Sequence, residues 1–473
     1  MAASPTPGPS LFRHPNYLKL WTAATVSLFG TQVSQIAIPF IAAVVLKASP
    51  GEVGLLTTIE FLPFILFTLP AGVWVDRLSK RRILVVADLG RALLLLSIPI
   101  AFGLGSLTIW QLYFVGFLNG AMTVFFDVAD QSFLPSILQR HELVEGNAKL
   151  QISQSSAQIL GQPVGGGLVA LLTAPVAVLI DAASYLGSAG LIIWIRLTSS
   201  GARGTGRRSD AGTPTRAPAS EAAVLPSAVA AGADAAAGPP SEAMPVAASE
   251  APLGDDDADG MRRQIVAGLG YIVNHRYLAG IAASTATSNL FSNIAFAILP
   301  VYLYRTLALS PASVGAIGGI GGAGVLVGAL IASRASVAFG VGPVIVVSML
   351  LSSVAGLLVP AAPPALAFWF VALSFFLGSV AGVVYNVNQV SLRQAITPER
   401  FLGRMNATMR FLVWGTIPIG SLIGAGLSEV IGVHDTIWVG TILGLCAFLP
   451  VLLSPIRSLR TIPTDDPDEA PTA

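Results

Sequence analysis

The chain has 473 residues, of which 53% are hydrophobic and 11% are charged. This charged fraction is about half of that in ordinary soluble domains, and the mean hydropathy is +0.74. One soluble core cannot absorb so many apolar residues, so the composition excludes a soluble enzyme and makes the lipid bilayer the solvent. The formal net charge of +1, without a separate basic domain, also argues against a nucleic-acid partner.

Apolar segments near the length that crosses a bilayer repeat along the chain, with six segments, a gap and six more. The pattern predicts an all-α membrane protein with twelve transmembrane helices in two six-helix, pseudo-symmetric halves. The predicted spans are 17–46, 51–74, 83–104, 108–133, 147–170 and 173–195 in the first half, and 277–304, 311–337, 341–359, 365–390, 404–431 and 435–454 in the second.

Composition also sets the divisions between the spans. The gap is rich in Ala, Gly, Pro and Ser and contains an acidic run at 255–259. Because such a segment cannot bury enough surface to fold, we predict a flexible linker whose acidic run is solvated and binds no metal. The predicted divisions are a tail at 1–16, a first half at 17–196, the linker at 197–263, a second half at 264–456 and a tail at 457–473.

Two features limit the remaining chemistry. Cys446 is the single cysteine, so an intrachain disulfide or a thiolate metal cluster is excluded, and its apolar setting predicts a buried, inert thiol. Met1 to Ser10 lacks the basic, apolar and small-residue order of a cleaved signal, so the first span is expected to be retained.

The two halves repeat each other at an offset of 259 to 261 residues. The motif Ser49-Pro50-x-x-Val53-Gly54 recurs as Ser310-Pro311-x-x-Val314-Gly315. Duplicated six-helix halves in the same orientation are typical of one large class of secondary transporter. Asn147-Ala148, Gly161, Gly165, Gly167 and Leu168 recur as Asn406-Ala407, Gly420, Gly424, Gly426 and Leu427.

The distribution of Lys and Arg predicts the orientation, because basic loops stay in the cytoplasm. One side of the predicted bundle carries little beyond Lys47 and Arg305. Both termini and the linker are therefore expected to be cytoplasmic. The bases on that side are Arg13, Lys19, Arg77, Lys80, Arg81, Arg82, Arg140, Lys149, Arg334, Arg400, Arg404, Arg457 and Arg460.

The second predicted span ends in a basic loop, Gly72-Val-Trp-Val-Asp76-Arg77-Leu-Ser-Lys80-Arg81-Arg82. The loop resembles the signature G-x-x-x-D-R-x-G-R-R of the major facilitator superfamily, with Ser79 and Lys80 replacing the usual Gly and first Arg. Gly72 would let a helix approach, Asp76 would meet a helix N-terminus and a base, and the bases would bind carboxylates on adjacent helices. A plain positive-inside anchor explains the bases but not Gly72 and Asp76 at this spacing, so gating is the preferred interpretation.

More of the chain resembles the enterobactin-exporter-like and macrolide-efflux-like branch of that superfamily. The resemblance implies the major facilitator fold, export, a bacterial inner membrane and a monomer without cofactors. The residues on which this resemblance rests are Pro70-Ala-Gly72, Asp88-x-x-Arg91, Phe126-Asp127, Leu134-Pro135-Ser136 with Asn147-Ala148, and Asp181-Ala-x-Ser184-Tyr185.

The fifth predicted span contains Gly161-Gln162-Pro163-Val164-Gly165-Gly166, which resembles the antiporter motif G-P-x-x-G-G of drug exporters with its proline displaced by one position. The small residues allow close helix contact, and Pro163 removes one backbone hydrogen bond, so the helix can bend. Simple packing is the alternative. Gly116 occupies the place where drug antiporters have an arginine, four residues before Gly120.

Ionisable residues inside spans are functional candidates, with structural ion pairs as the usual alternative. Asp88 and Arg91 are three residues apart on one helical face, close in depth to Asp76 and Asp127. We interpret these four residues, with the signature loop, as one gating network.

Two acids have no base near them in sequence. Glu60 lies sixteen residues before Asp76, roughly 24 Å along a helix, and Asp181 lies eight residues into the sixth predicted span. A lone buried carboxylate that exchanges a proton as access alternates is what a proton-driven antiporter requires. Proton coupling and a structural hydrogen bond are the two interpretations left open for each.

Amides and aromatics occur at mid-depth in the first, fourth, seventh and tenth spans, which line the central cavity of the resembled fold. They either bind the substrate or make interhelical contacts. No cluster of buried bases indicates a phosphate or dicarboxylate, so a mainly apolar or amphipathic organic cargo is expected. The candidates are Gln32, Gln35, Asn119, Asn289, Phe291, Asn293, Tyr385, Asn386 and Asn388.

Together these features predict a proton-driven exporter that works by alternating access. An importer of a small nutrient on the same fold is the main alternative. A receptor or lipid enzyme is disfavoured by the duplicated halves and by the absence of a nucleophile, base and metal constellation. No Walker motif occurs in the sequence, and no cofactor or metal is expected.

Overall fold

The computed structural model describes residues 11–139, 142–195 and 269–462. Twelve long helical segments account for most of this part of the chain, and it contains no strand. They are α1 (Pro15–Phe40), α2 (Pro50–Arg77), α3 (Lys80–Gly103), α4 (Ile109–Phe133), α5 (Leu143–Ser156, Ala157–Gly161 and Gln162–Leu172), α6 (Ala174–Ile193), α7 (Leu278–Phe296), α8 (Pro311–Phe339), α9 (Val341–Gly356), α10 (Ala367–Ala395), α11 (Glu399–Ile431) and α12 (Val433–Gly444, Leu445–Phe448 and Leu449–Leu453).

Ten of the helices in these ranges are long and apolar enough to cross a membrane. The other two long segments are α9, which is shorter but apolar, and α5, whose hydropathy is lowered by the polar run at 151–158. The predicted all-α membrane fold is therefore confirmed. The predicted linker at 197–263 lies outside the described residues.

The turn between α1 and α2 is built like the turn between α7 and α8. Each begins with a π-helical turn, Ile41–Val45 in one half and Tyr302–Thr306 in the other. A residue with positive φ follows in each, Lys47 at 52° and Ala308 at 51°. Because positive φ is uncommon outside glycine, its recurrence at matching positions is a structural sign of internal duplication.

Local capping explains where α2 and α8 begin. The Glu52 N–H donates to the Ser49 hydroxyl at 3.2 Å, and the Ser49 N–H donates to the Glu52 carboxylate at 2.6 Å, which forms a capping box. The Ser310 hydroxyl likewise accepts from the backbone at the start of α8. Pro50 and Pro311 occupy the first helical positions, where the missing N–H costs nothing.

The two halves meet mainly through α2 with α11 and α5 with α8. We call the end of the bundle that carries residues 46–49 and 307–310 the far end, and the end that carries residues 195 and 269 the linker end. Among the described residues, the close contacts between these helices begin at the far end and extend over roughly 17–21 Å of the helix axes. They are Gly51–Glu429, Gly54–Ala425 and Phe64–Trp414 for α2 with α11, and Gly166–Gly315, Pro163–Gly319 and Ile159–Gly322 for α5 with α8.

The prediction of a buried thiol is wrong. Cys446 is exposed on the surface of the bundle, in the short 3-10 segment Leu445–Phe448. The surrounding sequence is apolar because this surface faces the lipid, and an apolar setting in a membrane helix therefore does not imply burial inside the protein.

Candidate functional site

Arg91 carries a positive charge into the interior of the first half. The residue is 4% exposed, and its Nη2 lies 2.5 Å from Oδ1 of the fully buried Asp88. Its guanidinium carbon lies 4.3 Å from the ring centre of Phe126 in α4 and 4.2 Å from that of Tyr185 in α6. Two aromatic faces and one carboxylate thus hold the base, an arrangement that is stronger away from water.

Three further carboxylates interact electrostatically with Arg91: Asp127 and Asp130 in α4, and Asp181 in α6. With Asp88, four acids surround this one guanidinium in the described part of the first half. One guanidinium neutralises one carboxylate, so the group offers places where protons can bind. We call these five residues the Arg91 cluster.

Asp181 belongs to a polar stripe on α6. The residue is 1% exposed, and the Ser184 hydroxyl donates to its Oδ1 at 3.2 Å. Tyr185, on the same face, lies with its hydroxyl 2.9 Å from the Thr31 hydroxyl in α1. No base is near Asp181 in sequence. However, α3 packs against α6, and Arg91 of α3 interacts electrostatically with Asp181.

Two bases of the signature loop, Lys80 and Arg81, bind the ends of neighbouring helices. Lys80 donates to the Ser132 carbonyl at 3.2 Å, at the end of α4. Arg81 donates to the carbonyls of Ile192 and Ile193, at the end of α6. These described partners are carbonyls and not the expected carboxylates, because the last carbonyls of a helix have no intrahelical partner and attract cations. The side chains of Gly72, Asp76 and Arg77 lie outside the described residues.

Glu60 in α2 lies against the glycine face of α4. A Cβ placed on Gly116 would lie 2.9 Å from Glu60 Cγ, and one on Gly120 would lie 2.5 Å from the Glu60 carbonyl oxygen. The half-buried carboxylate makes neither a hydrogen bond nor an ion pair with any described residue. Because glycine stands at position 116, α4 supplies no base to this acid.

The glycines of the α5 motif face two different neighbours. Gly161 and Gly165 pack against α1, where a Cβ on Gly165 would lie 3.0 Å from Val33 Cα. Gly166 and Pro163 pack against α8 of the other half, and a Cβ on Gly166 would lie 2.9 Å from Gly315 Cα. The motif therefore lies at a contact between the halves.

The candidate amides of the first half keep unmet hydrogen-bonding capacity. Gln32, Gln35 and Asn119 each have a buried side-chain oxygen without a partner among the described residues. Gln32 also packs on Gly161, so it lies between α1 and α5. A substrate hydroxyl or N–H could satisfy such oxygens.

The candidate amides of the second half are engaged with backbone or neighbouring groups. The side-chain N–H groups of Asn289, Asn293 and Asn388 donate to backbone carbonyls at 3.3, 2.8 and 2.8 Å. The Tyr385 hydroxyl lies 2.6 Å from a threonine hydroxyl of α7, and Phe291 is half-buried. Asn386 accepts from its neighbour Gln389 at 2.8 Å.

Several residues of these arrangements do not stand out in the sequence as site residues. In the sequence, Phe126 and Tyr185 are noted only as part of the family resemblance. Asp130 is not among the candidates, although it follows Asp127 by three residues on one helical face. Glu429 and Arg305 form contacts between the halves that lie far apart in sequence. No local signal could have found these two.

Twelve long helices in two repeated halves, with charged and amide groups inside the bundle, define a multi-pass membrane transporter and not an enzyme. The family model described as Major Facilitator Superfamily matches residues 20–287 and 281–472. The chain therefore belongs to the major facilitator superfamily, whose members carry small substrates across a membrane.

Two curated relatives from Bacillus subtilis (strain 168) are similar to parts of the chain. They are the uncharacterized MFS-type transporters YfiS and YkuC, each 26% identical, over 186 and 183 residues. Each match covers 39% of this chain and 43% or 42% of the relative. The chain thus matches less than half of the length of these relatives.

Solved structures with the same fold cover nearly the whole chain. A bacterial homologue of the iron transporter ferroportin in an inward-facing state has a TM-score of 0.67 at 16% identity and covers 95% of this chain and 100% of its own. The nucleoside transporter NupG (D323A mutant) has a TM-score of 0.61 at 11% identity, with 93% and 99% covered. A bacterial homolog of the human lysosomal transporter Spinster has a TM-score of 0.60 at 13% identity, with 94% and 97% covered.

Proposed function

We propose that this transporter is a proton-driven exporter of a hydrophobic or amphipathic small molecule, of the drug, macrolide or siderophore class. It works by alternating access in a bacterial inner membrane, with both termini in the cytoplasm. The observation that carries the proposal is the Arg91 cluster, in which four acids, two of them fully or almost fully buried, interact with one base. Its surplus of carboxylates supports a role in taking up and releasing protons.

Contacts between the halves support the alternating cycle. In this proposal the far end faces outward and is closed, and substrate enters from the cytoplasm or the inner leaflet. Breaking the contacts of α2 with α11 and of α5 with α8 would then open the far end. The signature loop and the pair Asp88–Arg91 act as the gating elements of the other end, because they join α3 to its neighbours near the linker end.

The coupling proton is assigned to Asp181, with Glu60 as the alternative. Asp181 is almost fully buried and interacts with both Asp88 and Arg91, so a proton on it would change the charge that the gating pair experiences. Glu60 has no such link to the gate. The likeness to exporters of the enterobactin and macrolide branch also includes Asp181 and not Glu60.

We expect Asp181→Asn to abolish substrate accumulation driven by a pH difference while it preserves substrate binding and exchange. A neutral amide fixes one protonation-like state, so the proton gradient no longer biases the alternation. The measurement is uptake of labelled dyes, macrolides and siderophores into proteoliposomes with and without an imposed pH gradient.

Glu145→Gln is the matched control, because Glu145 is an exposed acid at the linker end, paired with Lys149 at 2.7 Å. It should transport like the unmodified protein. Full pH-driven transport by both Asp181→Asn and Glu60→Gln would refute the coupling assignment and leave the family membership untouched.

An importer of a small nutrient is the alternative on the same fold, and one similar structure is titled a nucleoside transporter. The two directions differ in vesicle orientation. An exporter accumulates labelled compound in inside-out vesicles whose interior is acidified, because protons leaving the vesicle drive its uptake, whereas an importer accumulates it in right-side-out vesicles. Binding without transport in either orientation would favour a receptor.

A further inference from the structure

Glu60 is an acid for which the described residues provide no partner. Its carboxylate lies beside Gly116, where a Cβ would be 3.6 Å from Oε1, and no base or hydrogen-bond donor reaches it. A carboxylate within a membrane protein is costly unless a cation or a donor compensates it. Since the described residues provide no partner, a bound ligand is the candidate that we consider.

The position of Glu60 on α2 indicates where that partner would lie. Successive helical residues turn by about 100°. α2 contacts α4 through Leu56 and Pro63, and it contacts α11 through Gly54 and Phe64. Glu60 lies on the arc between these two contact faces, at the edge of the α4 face. That arc therefore borders the contact between the two halves that α2 makes with α11.

Aromatic residues lie on this part of α2 and on the neighbouring helices α4 and α11. The Phe64 ring lies 5.4 Å from Trp414 of α11 and 6.0 Å from Phe61, measured between ring centres. Phe67, two turns after Glu60, lies 6.2 Å from Phe117 of α4. Phe64 and Phe67 thus follow Glu60 by about one and two helical turns, and Trp414 brings a ring of the other half against Phe64.

An unpaired carboxylate with aromatic residues one and two helical turns away matches one class of ligand. Ring faces attract cations, most strongly when water is excluded, and a carboxylate adds full opposite charge. An anionic molecule would repel the acid, and a neutral donor could form a hydrogen bond but would not neutralise its charge. We propose that Glu60, with the rings of Phe64 and Trp414, binds the positive charge of an amphipathic organic cation. This inference rests on the proposed function and makes Glu60 a ligand of the cargo, whereas Asp181 keeps the coupling proton.

The test uses binding to purified protein in detergent, with tritiated tetraphenylphosphonium as the probe. Tetraphenylborate has nearly the same shape and the opposite charge, so it separates charge recognition from apolar partition. We expect the protein to bind the cation and not the anion. Glu60→Gln should weaken cation binding about tenfold or more, and Phe64→Leu should weaken it by a few fold.

Two controls keep the result interpretable. Glu145→Gln makes the same chemical change at an exposed site and should leave binding unchanged. If Glu60→Gln does not fold, Glu60→Asp retains the charge on a shorter stem and should show weaker but still charge-selective binding. Size-exclusion profiles and melting temperatures identify folded variants.

Three outcomes would overturn the inference: no binding of tetraphenylphosphonium to the unmodified protein, equal binding by Glu60→Gln, or equal binding of tetraphenylborate. The assay contains no proton gradient. Failure of pH-driven transport with intact, Glu60-dependent binding would therefore count against the proposed coupling alone, and the reverse result would count against the cation site alone.

Discussion

Arg91 shows how one side chain links four helices. The residue lies in α3, packs on rings from α4 and α6, and interacts with acids of all three helices. Tyr185 extends the connection to α1 through Thr31. Removing a buried charge leaves its partners uncompensated, so this arginine should matter more for stability than its net interaction energy suggests.

We expect Arg91→Leu to destabilise the protein by about 3–5 kcal/mol, because Asp88 would lose its only ion-pair partner among the described residues. Arg91→Lys should cost about 1–2 kcal/mol, since an ammonium keeps the charge but loses the planar stacking between two rings. Thermal unfolding in detergent measures both.

The double variant Asp88→Asn with Arg91→Leu tests the reason for this loss. If an uncompensated carboxylate causes it, removing the acid as well should restore part of the stability. Simple additivity of the two losses would contradict the explanation.

At the scale of elements, α5 and α8 pack closely because glycines lie at their contact. A Cβ on Gly315 would lie 2.5 Å from the Gln162 carbonyl, and one on Gly319 would lie 3.1 Å from the Ile159 carbonyl. Small residues let helix backbones approach closely in membranes. The contact that closes this side of the far end therefore depends on a glycine face.

Gly166→Val should impair closure of the far end and reduce transport severalfold, because its side chain would enter the backbone of α8. Overpacking of this kind typically costs about 1–3 kcal/mol. Gly167→Val is the matched control, since a Cβ at that position would meet no atom within 4 Å. Both variants place valine in the same helix, so equal transport loss would rule out the closure argument. Transport in proteoliposomes provides the measurement.

Helix positions could be predicted from the sequence because most spans are continuous apolar runs, with Ser-Pro pairs marking the starts of α2 and α8. Asp88–Arg91 could also be predicted, since both residues lie on one helix face. The similar depth of Asp127 also groups it with this pair, but the interactions of Asp130 and Asp181 with Arg91 could not be predicted, because these acids lie on two other helices whose packing no local pattern encodes. The carbonyl partners of Lys80 and Arg81 could not be predicted for the same reason: the helix ends that a base can reach are known only once the helices are assembled.

For the whole molecule, the closed far end depends on few polar contacts. Between described residues, Glu429 and Arg305 each form a hydrogen bond with the other half, and both lie at this end. The Gly51 N–H donates to Glu429 Oε1 at 2.7 Å, and Arg305 Nε donates to the Ala43 carbonyl at 2.6 Å. At the repeat offset, the residue that corresponds to Glu429 is Ala170. The α2–α11 side of the far end therefore has a charged contact that the α5–α8 side does not have.

The contact of Glu429 should set the balance between the closed and open far end. A carboxylate at a helix N-terminus is favourable by about 0.5–1 kcal/mol, so Glu429→Gln should raise the open population about two- to fivefold. Spin labels at Lys47→Cys and Ala308→Cys, in a Cys446→Ser background, report the distance between the halves at this end. Asp435→Asn is the control, because Asp435 is an exposed acid at the same end. An unchanged distance distribution in Glu429→Gln would mean that apolar and glycine contacts alone close the far end.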